Sequence, residues 1–423
     1  MLNPSTTECQ ISTKERACLR SLAEKQAAYA ALEIMRQREK MWFDLNDGRP
    51  GARPPFVVEA GTFYRDFLPD SMLCCTSETA RSIERQLLGN IRNHEIINDD
   101  KVMPDCFPIF WDLEIDKFGV PIKREFAKDS QGYETGSRVE HPITDLERDF
   151  PLLKPAQCRV DKARTLAYKA FLEELFGDLL PVKTVNHWMM QQGMLTQQMI
   201  MLMGMEAFFM AMYDTPEAVH RAMAYVRDNA LRVMRWFEAE GLLCDNNGNA
   251  DSFGSSFNFN TRLSNNGAVK LNNFWGAANS QETVGISSEF FHEFCAPYYR
   301  DYCEPFGLIY YGCCEPAHTF WEDIRQFPHL KKVSVNKWTD QAFMADALRG
   351  GNIVFSRKPD PNFLGVDEVL KEDAWAAHIR ETLDATRGVF TEFIVRDVYT
   401  VHGNLNNARR AVEIARREID RKF

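Results

Sequence analysis

Apolar residues recur at helical spacing across residues 14–45, where Ala, Leu, Glu, Lys and Arg dominate and neither Pro nor Gly interrupts. The spacing predicts one long helix, stopped by Asn46-Asp47-Gly48-Arg49-Pro50-Gly51. Residues 1–50 therefore read as a helical extension before the main body, either a contact in a homodimer or a helix laid on the core. From residue 55 the pattern changes. Short β-like runs fall at 56–59, 109–111, 271–275, 308–311, 332–335, 353–355 and 393–395. Helical stretches separate them at 77–93, 162–176, 216–240, 288–305, 339–348, 367–386 and 404–417. Asp214-Thr215-Pro216-Glu217 supplies a capping side chain, a first-turn Pro and an early carboxylate. This alternation predicts a parallel α/β fold. The tight succession after Gly307 favours a closed TIM (β/α)8 barrel over 51–423. Residues 97–160, rich in Asp, Pro, Gly and charge, break the rhythm and read as an insertion near the active-site mouth. The richest apolar run, 199–212, is interrupted by Glu206 and is too short to span a bilayer, so a buried helix is expected.

Composition narrows the partners. Of 423 residues, 45% are hydrophobic and 12% aromatic, which suits a large core and a roomy apolar pocket. The net charge of −10, with no basic run, argues against nucleic acid or an anionic membrane as partner and leaves small molecules and proteins. Eleven Cys at scattered spacing do not form a secreted disulfide framework. Reduced thiols and a polar start at residues 1–10 point to a cytoplasmic protein.

Barrel enzymes place their chemistry just after each strand. After 308–311 comes Gly312-Cys313-Cys314-Glu315-Pro316, where Cys313, Cys314 and Glu315 are candidate metal ligands. The plainer alternative is two small cysteines packed against a helix. After 271–275 comes Asn279-Ser280-Gln281-Glu282, which reads either as substrate contacts or as an ordinary polar loop. Glu282, Asp397 and Tyr311 are the candidate catalytic groups. Trp275, Asn279, Gln281, Asp251 and Arg357 are the candidate substrate contacts. Arg396 and Asp397 could simply pair with each other. Arg357-Lys358 could hold an anion or lie as solvated charges. Gly-x-Gly-x-x-Gly, phosphate-binding-loop, His-Glu-x-x-His and Gly-x-Ser-x-Gly signatures are absent, so no nucleotide cofactor is implied.

The run from Ser280 to Phe290, then Pro297-Tyr298, Phe306 to Pro316, Lys332 to Val335 with Trp338, Phe355 to Pro361, and Glu392 to Thr400 carry a resemblance. Together they resemble the uroporphyrinogen-decarboxylase superfamily, in its branch of cobalamin-dependent methyltransferases and O-demethylases. The resemblance implies a TIM barrel with the pocket at the strand carboxyl ends. Where true decarboxylases carry an Arg-Gln-Ala-Gly-Arg motif, this chain has Glu59-Ala60-Gly61-Thr62-Phe63-Tyr64-Arg65, keeping only Arg65. Methyltransferases of that branch bind zinc through His-x-Cys and a later Cys. Here Tyr311-Gly312-Cys313 matches the first pair, with Tyr for His, and the later Cys position falls near Arg396-Asp397. The resemblance thus implies a zinc-dependent transfer of a methyl group from a small methoxylated substrate, aromatic ones included, to the cobalamin of a separate corrinoid protein. Cys313 would be a metal ligand, joined by Cys314, Glu315, Glu282 or Asp397. The alternatives are a decarboxylase or other lyase, and a non-catalytic barrel that binds a tetrapyrrole or a partner protein.

Overall fold

The computed structural model describes residues 3–5, 8–128, 134–186, 192–249, 252–253, 255–263 and 267–423. The chain opens with two helices where the spacing predicts one: α1, Thr13–Ala30, and α2, Glu33–Asp47. Ser12 caps α1 through a reciprocal box with Glu15: Oγ accepts the Glu15 amide at 3.2 Å, and the Glu15 carboxylate accepts the Ser12 amide at 2.8 Å. The break at Ala31-Leu32 lets the two helices serve different cores. α1 buries Leu19 and Ala23 against Ile83 and Leu87 of α3, Glu78–Arg92. α2 turns away and buries Trp42 and Leu45 against Val57, Phe257, Val354 and Ile394. Through these contacts α1 and α2 share apolar cores with the rest of the chain. Gly48, in the left-handed region at φ 73°, ends α2 at the expected place.

Among the described residues eight strands that each pair parallel with a neighbour follow: β1 Phe56–Val58, β2 Phe107–Phe110, β3 Val182–Val185, β4 Trp275–Ala278, β5 Leu308–Tyr311, β6 Leu330–Val335, β7 Val354–Arg357 and β8 Thr391–Val395. Six of them form one ladder in the order β1-β8-β7-β6-β5-β4, so the first strand lies beside the last. β2 and β3 pair separately. The fold is mixed α/β around parallel strands, as the alternation predicts. β4 begins where the apolar run 271–275 ends, because Leu271–Asn273 folds as a tight turn with Asn273 Oδ1 accepting the Lys270 amide at 2.7 Å.

Side chains bridge the two ladders. The free edge of β1 is met by carboxylates: Asp99 accepts the Val58 amide at 2.7 Å and Asp100 accepts the Phe56 amide at 2.9 Å. On the other side, Asn186 exchanges two hydrogen bonds with the Cys244 backbone, and Asn246 does the same with Trp275 at the head of β4. An asparagine amide carries one donor and one acceptor face, so it can stand in for a strand's backbone.

The interval 97–160 is more regular than its composition suggests. β2 lies inside it. It also holds two antiparallel ribbons, Asp112–Asp116 with Gln157–Asp161 and Lys123–Lys128 with Glu134–Glu140. The apolar run 199–212 is two helices, Leu195–Met203 and Met205–Asp214, parted at Gly204. The second leaves Met205, Met210 and Tyr213 exposed, so only part of the run is buried. Among the described residues no helix is long and apolar enough to cross a membrane.

One face of the six-stranded ladder packs against helices through Phe56, Val58, Phe393 and Val395 and, farther along, Ile309, Val333, Val335 and Phe355. The alternate positions form the other face. It carries apolar residues, Val57, Val354 and Ile394 with Trp42, beside Trp275 and Leu308. It also carries a charged group, which leads to the candidate site.

Candidate functional site

Lys332, Ser356 and Glu392 stand on adjacent strands at alternate positions, fully buried. Lys332 Nζ lies 2.9 Å from Glu392 Oε2 and donates to Ser256 Oγ at 2.6 Å and Phe257 O at 3.0 Å. The Trp42 and Trp275 rings flank it at 5.3 and 5.8 Å. Burial opposes a charge on Glu392, but Lys332 and Lys358 outweigh it and hold the carboxyl low. Lys358, also buried, donates to Ser356 Oγ and Tyr310 Oη. One carboxylate cannot balance two ammonium groups in a dry interior. Burial accordingly pushes the Lys358 ammonium down to about 7.

Beyond this group lie the strand carboxyl ends. Cys313 Sγ and Cys314 Sγ are 3.5 Å apart. The hydrogen bond between them pushes the Cys313 thiol up and the Cys314 thiol down. Burial and Asp397 work against the Cys314 thiolate, and Arg396 works for it. Arg396 Nε sits 3.5 Å from both Glu59, just after β1, and Asp397, just after β8. Burial disfavours charge on Arg396, but Glu59, Cys313 and Asp397 more than restore it. Asp397 itself takes a left-handed φ of 60°, a conformation of the kind that collects at functional sites.

Glu315 points elsewhere. It is fully buried, and its Oε1 and Oε2 accept the Ser280 and Cys313 amides at 2.8 and 2.9 Å. Its carboxyl, pushed up by burial, latches the loop after β4 to the loop after β5. Tyr311 is buried on the helix side, with its hydroxyl 2.6 Å from Ser280 Oγ. Glu282 accepts the Thr196 hydroxyl at 2.8 Å, and Thr196 meets the Tyr299 hydroxyl at 3.0 Å. Gln281 is half-buried beside Glu282. Trp275 lies at the amino end of β4, sealed in the core, opposite the end where the loops gather. Arg357 is buried at the end of β7 and donates to Asn336 O at 2.8 Å; burial pulls it down to about 10. Asp251 lies outside the described residues. Asn279 is fully buried after β4, and among the described residues neither its Oδ1 nor its Nδ2 has a partner.

The structure thus brings Cys313, Cys314 and Asp397 together around Arg396, and leaves Glu282, Tyr311, Glu315, Arg357 and Trp275 engaged in other contacts. Among the described residues, one trio of potential ligand atoms lies close enough to hold a metal, and it is Cys18, Cys75 and Glu84, within 4.8 Å of one another between α1 and α3. Glu84 there accepts the Cys74 and Cys75 amides at 2.7 and 2.9 Å. Cys313, Cys314 and Glu315 form no such group: the Glu315 oxygens face the Ser280 and Cys313 amides. Sequence reasoning missed the Lys332–Glu392–Lys358 group. Its signal was present: polar residues at alternate positions, Lys332 in β6 and Ser356 with Lys358 in and after β7, inside otherwise apolar strands.

Among solved structures the chain is similar to a methyltransferase from Methanosarcina mazei, with a TM-score of 0.50. The alignment covers 91% of this chain and 98% of that one. The two share a fold. Identity between them is 12%, so the likeness concerns architecture alone. No family model matches the sequence, and no curated protein matches it.

Proposed function

We propose that the chain is a methyltransferase built on a closed (β/α)8 barrel, of the uroporphyrinogen-decarboxylase-like kind. The observation that carries this reading is the Cys313–Cys314 sulfur pair beside Arg396, at the carboxyl ends of parallel strands in a chain folded like a methyltransferase. What supports a barrel is the strand order, with β1 beside β8, and the link from the end of β3 to the head of β4 through Asn186, Cys244 and Asn246.

The pair is also the place for zinc. Two thiolates on one tetrahedral zinc stand about 3.8 Å apart, given Zn–S distances of about 2.3 Å. The observed 3.5 Å fits that edge. Cys313 and Cys314 would hold the ion, and a third ligand would have to move in, because among the described residues no further sulfur or carboxylate stands within ligand distance of both. Bound zinc would supply Lewis acidity to the oxygen or nitrogen that gives up the methyl group. The protein's own groups do the rest. Arg396 steadies the Cys314 thiolate and ties Glu59 to Asp397. The unpaired Asn279 amide offers a donor and an acceptor to the substrate. Glu315 fixes the two loops that carry Asn279 and Cys313. The methyl acceptor in this reading is a separate cobalamin-bearing protein, and the donor a small methoxylated compound. The arginines at the strand ends, Arg357 and Arg396, are already engaged by protein oxygens, which weighs against a decarboxylase that gathers substrate carboxylates.

The test is incubation with methoxylated aromatic compounds and a reduced corrinoid protein, following corrinoid methylation by absorbance, with zinc counted by elemental analysis. Zinc near one per chain and methyl transfer are expected. Cys314→Ser is expected to lower both by about 100-fold or more, since even the outer partners of metal ligands act on that scale. A native chain that carries no zinc and methylates no corrinoid would refute the proposal.

A further inference from the structure

A second cavity of about 450 Å³ opens beside the start of the chain's parallel strands, between α2, the segment after β1 and the end of α3. It is of a size that holds small ligands. Its polar lining is incomplete. Among the described residues, Arg38 Nε, Asn93 Nδ2 and His94 Nδ1 are buried without a hydrogen-bond partner, and all three residues line this cavity. Unpaired buried polar atoms are costly and rare, so three around one space point to a missing occupant.

The charges say what kind. Glu59 faces Arg396, and Lys101 lies near Asp99. Arg38 is 3% exposed, and among the described residues no carboxylate lies within 4.0 Å of it. Its terminal nitrogens are held by Lys101 O at 3.1 Å and Asn98 Oδ1 at 2.7 Å, which leaves Nε free. Asn93 and His94 belong to a π-turn, Asn93–Ile97, ended by Asn98 at φ 54°. Such turns recur at functional sites because they redirect side chains out of the helix register. Burial and Arg38 lower the His94 imidazole, which keeps it neutral and able to donate. Met35, Tyr64, Phe67, Met103 and Phe257 supply the apolar walls, and Gln86, Asn90, Lys101, Asn249 and Ser255 complete the lining with polar groups.

We propose that this cavity binds a small ring-bearing carboxylate, its carboxylate received by Arg38 and Asn93 and its ring by the Met35, Phe67 and Phe257 walls. A buried guanidinium with a free Nε gains a charge-assisted partner, and the apolar walls select a flat body over a bare ion. The proposal concerns occupancy of this cavity and goes beyond the methyl transfer proposed above.

Thermal unfolding of the full chain with benzoate, toluene and acetate tests it. Benzoate is expected to raise the melting temperature in a concentration-dependent way, and toluene and acetate to do so at least about tenfold more weakly in apparent affinity. Arg38→Gln is expected to weaken benzoate about tenfold or more, which corresponds to about 1.4 kcal/mol. Met103→Trp fills the cavity without touching a charge and is expected to abolish the shift, so a poorly folded Arg38 variant does not leave the matter open. Anomalous scattering from 4-bromobenzoate is expected in this cavity. Bromine found only beside Cys313, or benzoate binding unchanged in both variants, overturns the inference and leaves the methyltransferase reading standing. A filled cavity in a protein that transfers no methyl group does the reverse.

Discussion

Lys358 is the residue whose environment makes the clearest demand. Burial lowers it from an ordinary 10.5 to about 7, while in the unfolded chain it returns to its ordinary value. Between those two values the unfolded chain holds a proton that the folded chain has lost, so this group makes stability rise with pH across that window. Below about pH 7 both states hold the proton and the slope vanishes. Lys358→Met is expected to remove the slope, about 1.4 kcal/mol per pH unit at most, in urea titrations at stepped pH. An unchanged slope would mean that Lys358 keeps an ordinary ammonium. The site residues divide along the same physical line. Cys313, Cys314 and Asp397 stand at the strand carboxyl ends, a placement that follows from their position just after a strand. Glu315 and Tyr311 share that position, yet their oxygens are taken by Ser280, a residue 35 and 31 places away. No spacing rule shows such a partner.

At the scale of elements, α2 is the informative case. Its periodicity announced a helix, and Gly48 announced its end. The break at Ala31-Leu32 carried no Gly or Pro to mark it, because tertiary packing imposes it: two cores lie in different directions. Trp42 is the plug. It is fully buried, donates to Asp100 O at 2.9 Å and covers the Lys332–Glu392 pair. Trp42→Ala is expected to cost about 3–5 kcal/mol in urea denaturation. A loss below about 1 kcal/mol would mean that α2 merely rests on the strands. The strands were easier to read than the ribbons within 97–160. Parallel strands buried on both faces are continuous apolar runs, whereas the ribbon Lys123–Lys128 is exposed throughout and carries no apolar pattern.

At the scale of the whole molecule, the two opening helices and the strands form one cooperative body. A chain starting at residue 51 would bare Val57, Val354 and Ile394, and would lose Arg38 from the cavity wall. It is expected to lack a cooperative thermal transition by circular dichroism, whereas a sharp transition would show the strands to be self-sufficient. The two joins between ladders have a different consequence. At Asn186–Cys244 and Asn246–Trp275 the bridging groups are side chains that can rotate away without unzipping a neighbour, and along β1 the Asp99 and Asp100 carboxylates are backed by a single backbone bond, Asp100 N–H to Phe56 O at 2.9 Å. Native-state hydrogen exchange is therefore expected to resolve two populations of slow amides. Those of β2 and β3 would open together at a lower free energy, and those of β4 to β8 would open only with global unfolding. The molecule would breathe along its side-chain joins, and solvent would first enter between strands at those places.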